Sequence, residues 1–203
     1  MVNKKLIWII TIWVTITVLN YYYFTFFILP LALFLFFLFF TVIFIAELVR
    51  LLQRREKVKR YRIEELIVYS IILPLTFFHQ FTASIIEKMD WHLQYNKRCL
   101  IVEQVKNYTL NPNVSWNGSL CELQYIFPVL SNDGNLLIIE RENSTQPNVT
   151  VEFFIYRDLL DHPPTKIVYT NDLIQITELE QRINLQPKDN WKLEDNWYRT
   201  VGF

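Results

Sequence analysis

Residues 6–49, LIWIITIWVTITVLNYYYFTFFILPLALFLFFLFFTVIFIAELV, decide the fold. The run is apolar almost throughout, and its sharp interruptions are Asn20, the tyrosines at 21–23 and Pro30. As one helix rising about 1.5 Å per residue it would be roughly 66 Å long, about twice a hydrocarbon core of about 30 Å. It must therefore fold back as a hairpin of two membrane spans, which makes the chain an integral membrane protein. Span one is expected at residues 6–23, with the tyrosine cluster at interface depth, where amphipathic rings settle. Span two is expected at residues 30–51, with Pro30 in the first turn, where its missing N–H has no helical partner to lose. Phe34, Phe36, Phe37, Phe39 and Phe40 dominate span two, and the absence of a small-xxx-small pattern suits lipid or loose packing. No charge lies mid-span, since Glu47 is one turn from Arg50 near the end, so an ion pathway is unsupported there. No small-residue cleavage site follows the basic start, so the first span is expected to be retained.

Working outward, the next segment carries Arg54, Arg55, Lys57, Lys59, Arg60 and Arg62 against a single Glu56. The positive-inside rule makes this loop cytoplasmic, and Lys4 and Lys5 put the amino terminus on the same side. Such a loop also suits anionic lipid headgroups, although a topology determinant alone explains it. Residues 63–86 form a third apolar stretch of span length, containing Pro74, His79 and Gln80. Pro74 is expected to kink it, and His79, in its outer half, is read as an interfacial group. Trp91 and Tyr95 suggest that this helix extends past the bilayer to about residue 97. The expected organisation is thus a transmembrane hairpin (1–52), a basic cytoplasmic loop (53–62), a third transmembrane helix with its extension (63–97), and an extracytoplasmic domain (98–203).

Composition supports reading the two halves separately. Residues 1–86 carry nine Lys/Arg against four Asp/Glu, whereas residues 87–203 carry eleven against sixteen, so the net charge of zero conceals a basic membrane part and an acidic soluble part. That acidic excess argues against a nucleic-acid partner, which demands clustered Lys/Arg on one face. Short apolar runs at 98–105, 120–127, 136–141, 148–157 and 166–170 read as strands, and Asn132, Asp133, Gly134 and Asn135 give a strong hairpin signal. Leu173, Ile176, Leu179 and Ile183 stand at helical spacing behind Asp172, a good helix cap. Trp191, Leu193 and Trp197 share the parity of one face of a final strand. The expected fold is a small α+β domain with a mainly antiparallel sheet of five or six strands and one helix.

Few residues suggest chemistry. Cys99 and Cys121 both lie in the soluble half, the arrangement expected of an oxidising compartment. A bridge would close a loop of about 23 residues and contribute roughly 3 kcal/mol; two buried free thiols are the alternative. Asn-x-Ser/Thr triplets at Asn107, Asn113, Asn117, Asn143 and Asn148 fit N-glycosylation of an exported domain. They fit equally a bacterial chain whose Asn and Ser populate turns, which is the preferred reading. Trp191, Trp197 and Tyr198 are candidate partner anchors if exposed, and core residues beneath the late helix if not. Asp158, Asp161 and His162 lack the further His or Cys that a zinc site needs, and no Gly-x-Ser-x-Gly elbow occurs. No cofactor or small-molecule substrate is evident. The expectation is a non-catalytic, multi-pass cell-membrane protein with its amino terminus in the cytoplasm, contacting the lipid bilayer and binding a protein partner outside the cytoplasm through its acidic domain. One specific form is an immunity-type protein that neutralises a toxin at the membrane. The alternatives are an accessory subunit acting through its transmembrane helices and a membrane hydrolase using His79 or Asp161 with His162.

Overall fold

The computed structural model describes residues 4–23, 28–53, 60–132, 134–141, 148–156 and 163–202. The chain divides into two compact units, residues 1–89 and 90–203. In the first, α1 (Lys4–Tyr22) and α2 (Ile28–Gln53) are long and apolar enough to cross a membrane, with mean hydropathies of 1.4 and 2.9. Both match the expected hairpin, and α2 turns Phe34, Phe39 and Val42 outward, as a lipid-facing helix does. Pro30 sits in its first turn as expected, and Arg50 pairs with Glu47 at 2.7 Å near its end.

The third helix, α3 (Arg60–Phe77), packs on both. Its Tyr69, Ile72 and Leu73 form a core with Ile9 of α1 and Phe40 of α2. Lys5 Nζ meets Glu65 Oε1 at 3.1 Å, and Trp13 Nε1 donates to Thr76 Oγ1 at 2.8 Å, so α1 and α3 run side by side in the same direction. Here the structure departs from the expected single third span. The helix stops at Phe77, and α4 (His79–Lys106) leaves at a bend of 85°. Pro74 lies inside α3 without ending it, because the Phe78 amide still bonds Pro74 O at 2.8 Å and closes the last turn. The uncharged run from residue 66 to 78, after Glu64 and Glu65, is only about 20 Å long as a helix, and the polar pair His79 and Gln80 follows it directly. Among the described residues two helices thus qualify as spans, or three if the bent pair is one broken span.

The second unit opens with the later part of α4, which absorbs residues 98–105, expected as a strand. Arg98, Ile101, Val102 and Val105 are buried at a spacing of three and four, the helical period. Six antiparallel strands follow: β1 (Leu120–Glu122), β2 (Leu136–Arg141), β3 (Val149–Tyr156), β4 (Thr165–Thr170), β5 (Trp191–Glu194) and β6 (Trp197–Val201). They are ordered β1-β2-β3-β4-β6-β5. The expected final strand is therefore a hairpin, turned at Asn196, whose φ of 65° is one that Asn tolerates. Helix α5 (Leu173–Leu185) lies between β4 and β5 in sequence, capped by the Asp172 carboxylate on the Ile174 amide at 2.9 Å.

The sheet has a helix on each face. Phe153, Tyr169 and Trp197 share one face, and α4 covers them: the Trp91 and Tyr95 rings lie 5.3 and 6.2 Å from Trp197, and Lys106 Nζ 4.9 Å from Tyr169. Val168 and Tyr198 face the other way and pack under Leu179, Ile176 and Ile183 of α5. Among the described residues of this unit, Arg98 with Asp90 and Lys166 with Glu152 form buried ion pairs, each at 2.6 Å.

Candidate functional site

The connection from β1 to β2, residues 123–135, is the feature that stands apart. Its ends are buried through Leu123, Val129 and Leu130, yet Ile126 and Phe127 are 80% and 82% exposed, with Tyr125 beside them. Residues 123–132 carry no charged side chain.

The backbone here is held by Asn135. It is 1% exposed and sits at a φ of 56°, in the left-handed region that Asn tolerates better than most residues. Its Oδ1 accepts from the Leu130 amide at 2.7 Å and the Ser131 amide at 3.1 Å. Its Nδ2 donates to Tyr125 O and Pro128 O, both at 2.9 Å. One side chain thus fixes both sides of the tip. The base is tied to the sheet as well: Asn132 N donates to Phe154 O at 2.7 Å, and the Phe154 amide to Ser131 Oγ at 2.9 Å. From α4, Arg98 donates through Nε and Nη2 to Leu130 O at 3.0 and 2.9 Å while pairing with Asp90. Partial burial pushes the Tyr125 hydroxyl above its ordinary pKa. Chemically the arrangement is a preformed apolar prong, able to fill a pocket without first ordering itself.

The other candidate residues fall elsewhere. Trp197 and Tyr198 are 3% and 1% exposed, so neither is a surface anchor; Trp197 packs under α4 and Tyr198 under α5. Trp191 is half-buried beneath Arg199, whose guanidinium lies 4.4 Å from its ring. Cys99 and Cys121 are free thiols, which corrects the expected bridge. Cys99 lies on α4 one turn after Tyr95, in the stretch that covers Phe153 and Trp197, while Cys121 is on β1 at the edge of the sheet. The carboxylate of Glu194 beside Tyr95 raises that hydroxyl's pKa, and burial raises that of the Cys121 thiol.

Among the triplet asparagines, Asn113 bonds the backbone of Glu122 through both side-chain atoms at 2.8 Å, and Asn117 Oδ1 accepts from the Ser119 amide at 2.9 Å. Both do the turn-closing work of loop asparagines. Asn107 ends α4, Asn148 precedes β3, and Asn143 lies outside the described residues. Outside them too are Arg54, Arg55, Lys57 and Lys59 of the basic loop, together with Asp158, Asp161 and His162; Arg60 and Arg62 begin α3. His79 and His92 are exposed on α4, and no group of three metal-ligating side chains occurs among the described residues.

A shallow cleft of about 390 Å³ is lined by Pro112, Gly118, Ser119, Ile139, Glu140 and Arg141. Arg141 is already engaged there, donating to Asn111 Oδ1 at 2.9 Å. No protein-family model, curated protein or solved structure matches the chain.

Proposed function

We propose that the chain is a non-catalytic, membrane-tethered binding protein whose second unit engages another protein outside the cytoplasm. The observation that carries the reading is the prong Tyr125, Ile126 and Phe127, exposed on a backbone clamped by Asn135. Exposing Ile126 and Phe127 to water is unfavourable by about 1.5–3 kcal/mol each relative to burial. A complementary pocket recovers that amount, and aromatic anchors of this kind dominate interface energetics. The acidic balance of residues 87–203 favours a basic partner. An immunity-type protein that neutralises a toxin at the membrane is the specific form this reading takes, since a tethered acidic domain meets such a toxin on arrival.

A photoreactive phenylalanine analogue replacing Phe127 tests the reading in intact cells. The expected result is one discrete adduct with a second protein, absent when the analogue replaces Lys192, and loss of protection against the cognate toxin in Phe127→Ala. A chain that crosslinks to nothing from position 127 and functions normally as Phe127→Ala contradicts it. The exposed α2 face carries a second reading, an accessory subunit that contacts its complex through its spans. Replacing α1 and α2 with unrelated apolar helices abolishes function in that case and spares it in the first.

A further inference from the structure

Strand β2 outruns its neighbour β1. The paired residues end at Leu120 opposite Ile138, and one further bond follows, from the Ile139 amide to Ser119 O at 2.8 Å. The reciprocal bond is not made, because the Ser119 amide donates to Asn117 Oδ1 at 2.9 Å and the chain turns away. Ile139 O therefore has no hydrogen-bond partner among the described residues. Successive residues of an antiparallel strand aim their N–H and C=O groups at alternate edges. Glu140, opposite Thr150, thus faces β3, and Arg141 presents its N–H and C=O to the same open edge as Ile139. These two groups also have no hydrogen-bond partner among the described residues.

Elsewhere the sheet protects its edges. Along β1, Asn113 Nδ2 donates to Glu122 O and the Glu122 amide to Asn113 Oδ1, both at 2.8 Å, while the Asn113 and Val114 amides share Leu120 O. The other edge strand, β5, is broken by a register shift between Lys192 and Glu194, a device that discourages pairing. Beside Ile139–Arg141 lies instead the cleft of about 390 Å³, with Pro112, Gly118 and Ser119 across it.

Two features select the occupant. Acceptor and donor alternate along about 7 Å of extended strand, the pattern that another extended main chain complements. Charge gives the second. Arg141 turns its guanidinium away, donating to Val105 O, Leu110 O and Asn111 Oδ1 and lying 4.1 Å from the Tyr108 ring. The charged group it leaves at the cleft is the exposed Glu140 carboxylate, which favours Lys or Arg on the incoming chain.

We infer that Ile139–Arg141 is a docking edge, where an extended basic segment of a partner protein adds a strand to β2 beyond the end of β1. It lies at the far end of β2 from the prong, whose Asn135 immediately precedes that strand, and it acts independently of the prong.

The test uses the full chain in phosphatidylcholine nanodiscs and a displayed library of linear seven-residue peptides. Gly118→Phe is the blocking variant: a Cβ there meets nothing within 4 Å and the backbone φ is not positive, so the fold accepts the ring, which fills the cleft. Its thermal unfolding is matched to wild type first. In the chain alone, hydrogen exchange followed residue by residue is expected to be slow at the Ile139 amide and fast at the Arg141 amide. Selected peptides are expected to carry Lys or Arg and to slow exchange at Arg141 by about tenfold or more. They bind Gly118→Phe at least about tenfold more weakly and Phe127→Ala unchanged. N-methylation of the pairing amides, which keeps every side chain, abolishes binding. A slow Arg141 amide in the chain alone overturns the inference, because the edge is then already paired. So does a library that yields no peptide preferring wild type to Gly118→Phe, and so does enrichment of acidic peptides. Binding that survives N-methylation marks a side-chain pocket, binding lost in Phe127→Ala belongs to the prong, and a change of oligomeric state in Gly118→Phe assigns the edge to a second copy; each contradicts the inference.

Discussion

Replacing Asn135 with Ala removes the one side chain that fixes both halves of the apolar prong. The Leu130 and Ser131 amides, both buried, lose their acceptor. A buried amide without a partner costs about 1–3 kcal/mol, so the two account for roughly 2–6 kcal/mol. Alanine at a φ of 56° adds about 1 kcal/mol, which glycine avoids. Asn135→Ala is therefore expected to destabilise the unit by roughly 3–7 kcal/mol, and Asn135→Gly by about 1 kcal/mol less. Asn135→Asp keeps the acceptor but sets an oxygen against Tyr125 O and Pro128 O, so it falls between wild type and alanine at acid pH and worsens on ionisation. Urea unfolding of the full chain in micelles gives the totals, and hydrogen exchange of peptides covering residues 128–132 locates them. A loss below about 1 kcal/mol with unchanged protection at Leu130 and Ser131 would refute the claim that Asn135 holds the loop.

Other expectations follow from the same geometry. Phe127→Ala leaves stability within about 0.5 kcal/mol of wild type, because the ring is exposed, but weakens partner binding by roughly 30- to 150-fold, the equivalent of about 2–3 kcal/mol; equal affinity by calorimetry would sink it. Arg98→Ala leaves Asp90 buried without this partner and is expected to cost about 3–5 kcal/mol in urea unfolding, with Arg98→Lys intermediate; a loss under 1 kcal/mol counts against a role for the pair. Glu152 has its pKa raised above the ordinary 4.5, chiefly by burial, with the Lys166 bond opposing. A raised folded pKa means that the native state binds the proton more readily, so this group's contribution is most favourable below about 4.5 and declines as pH rises through the folded value. Glu152→Gln removes that decline, and identical pH profiles for the two proteins would contradict it. Two thiols per chain are expected to titrate in denaturant without reductant, with Cys99 reacting ahead of Cys121 in the folded protein, because Cys121 is fully buried. Finding no free thiol would restore the bridge.

The hairpin was legible because two spans of unbroken hydropathy are a property of the chain alone. β2, β3, β4 and α5 were legible for a related reason: alternation or helical spacing bounded by turn residues, as at Asp172, needs no knowledge of the rest of the fold. The run Cys99, Leu100, Ile101 and Val102 misled because its composition suits a strand, although Arg98, Ile101, Val102 and Val105 already carry the helical period. Its helical state follows from packing across Phe153 and Tyr169, which are distant in sequence. The prong was missed for a related reason. Tyr125, Ile126 and Phe127 look like the end of a strand, and the contacts that hold them out in solvent, above all those of the left-handed Asn135 ten residues on, lie elsewhere in the sequence. The uncharged stretch 123–132 with Pro128 was the available signal. The tryptophans stayed open between surface anchor and core, because their exposure depends on what α4 covers; Trp197 is in the core and Trp191 is half-buried.

The central claim, a domain held by its spans on the side opposite the basic loop, is tested most directly by single cysteines at Lys57 and Lys192 in an otherwise cysteine-free chain, challenged with an impermeant maleimide in intact cells. Lys192, exposed in the β5–β6 hairpin and paired to its neighbour Asp195 at 2.9 Å, tolerates the change. Labelling at position 192 with protection at position 57 is the predicted result. Protection at position 192 would place the prong away from any extracytoplasmic partner, and labelling at both positions would put the basic loop on the same side as the domain; either result contradicts the account.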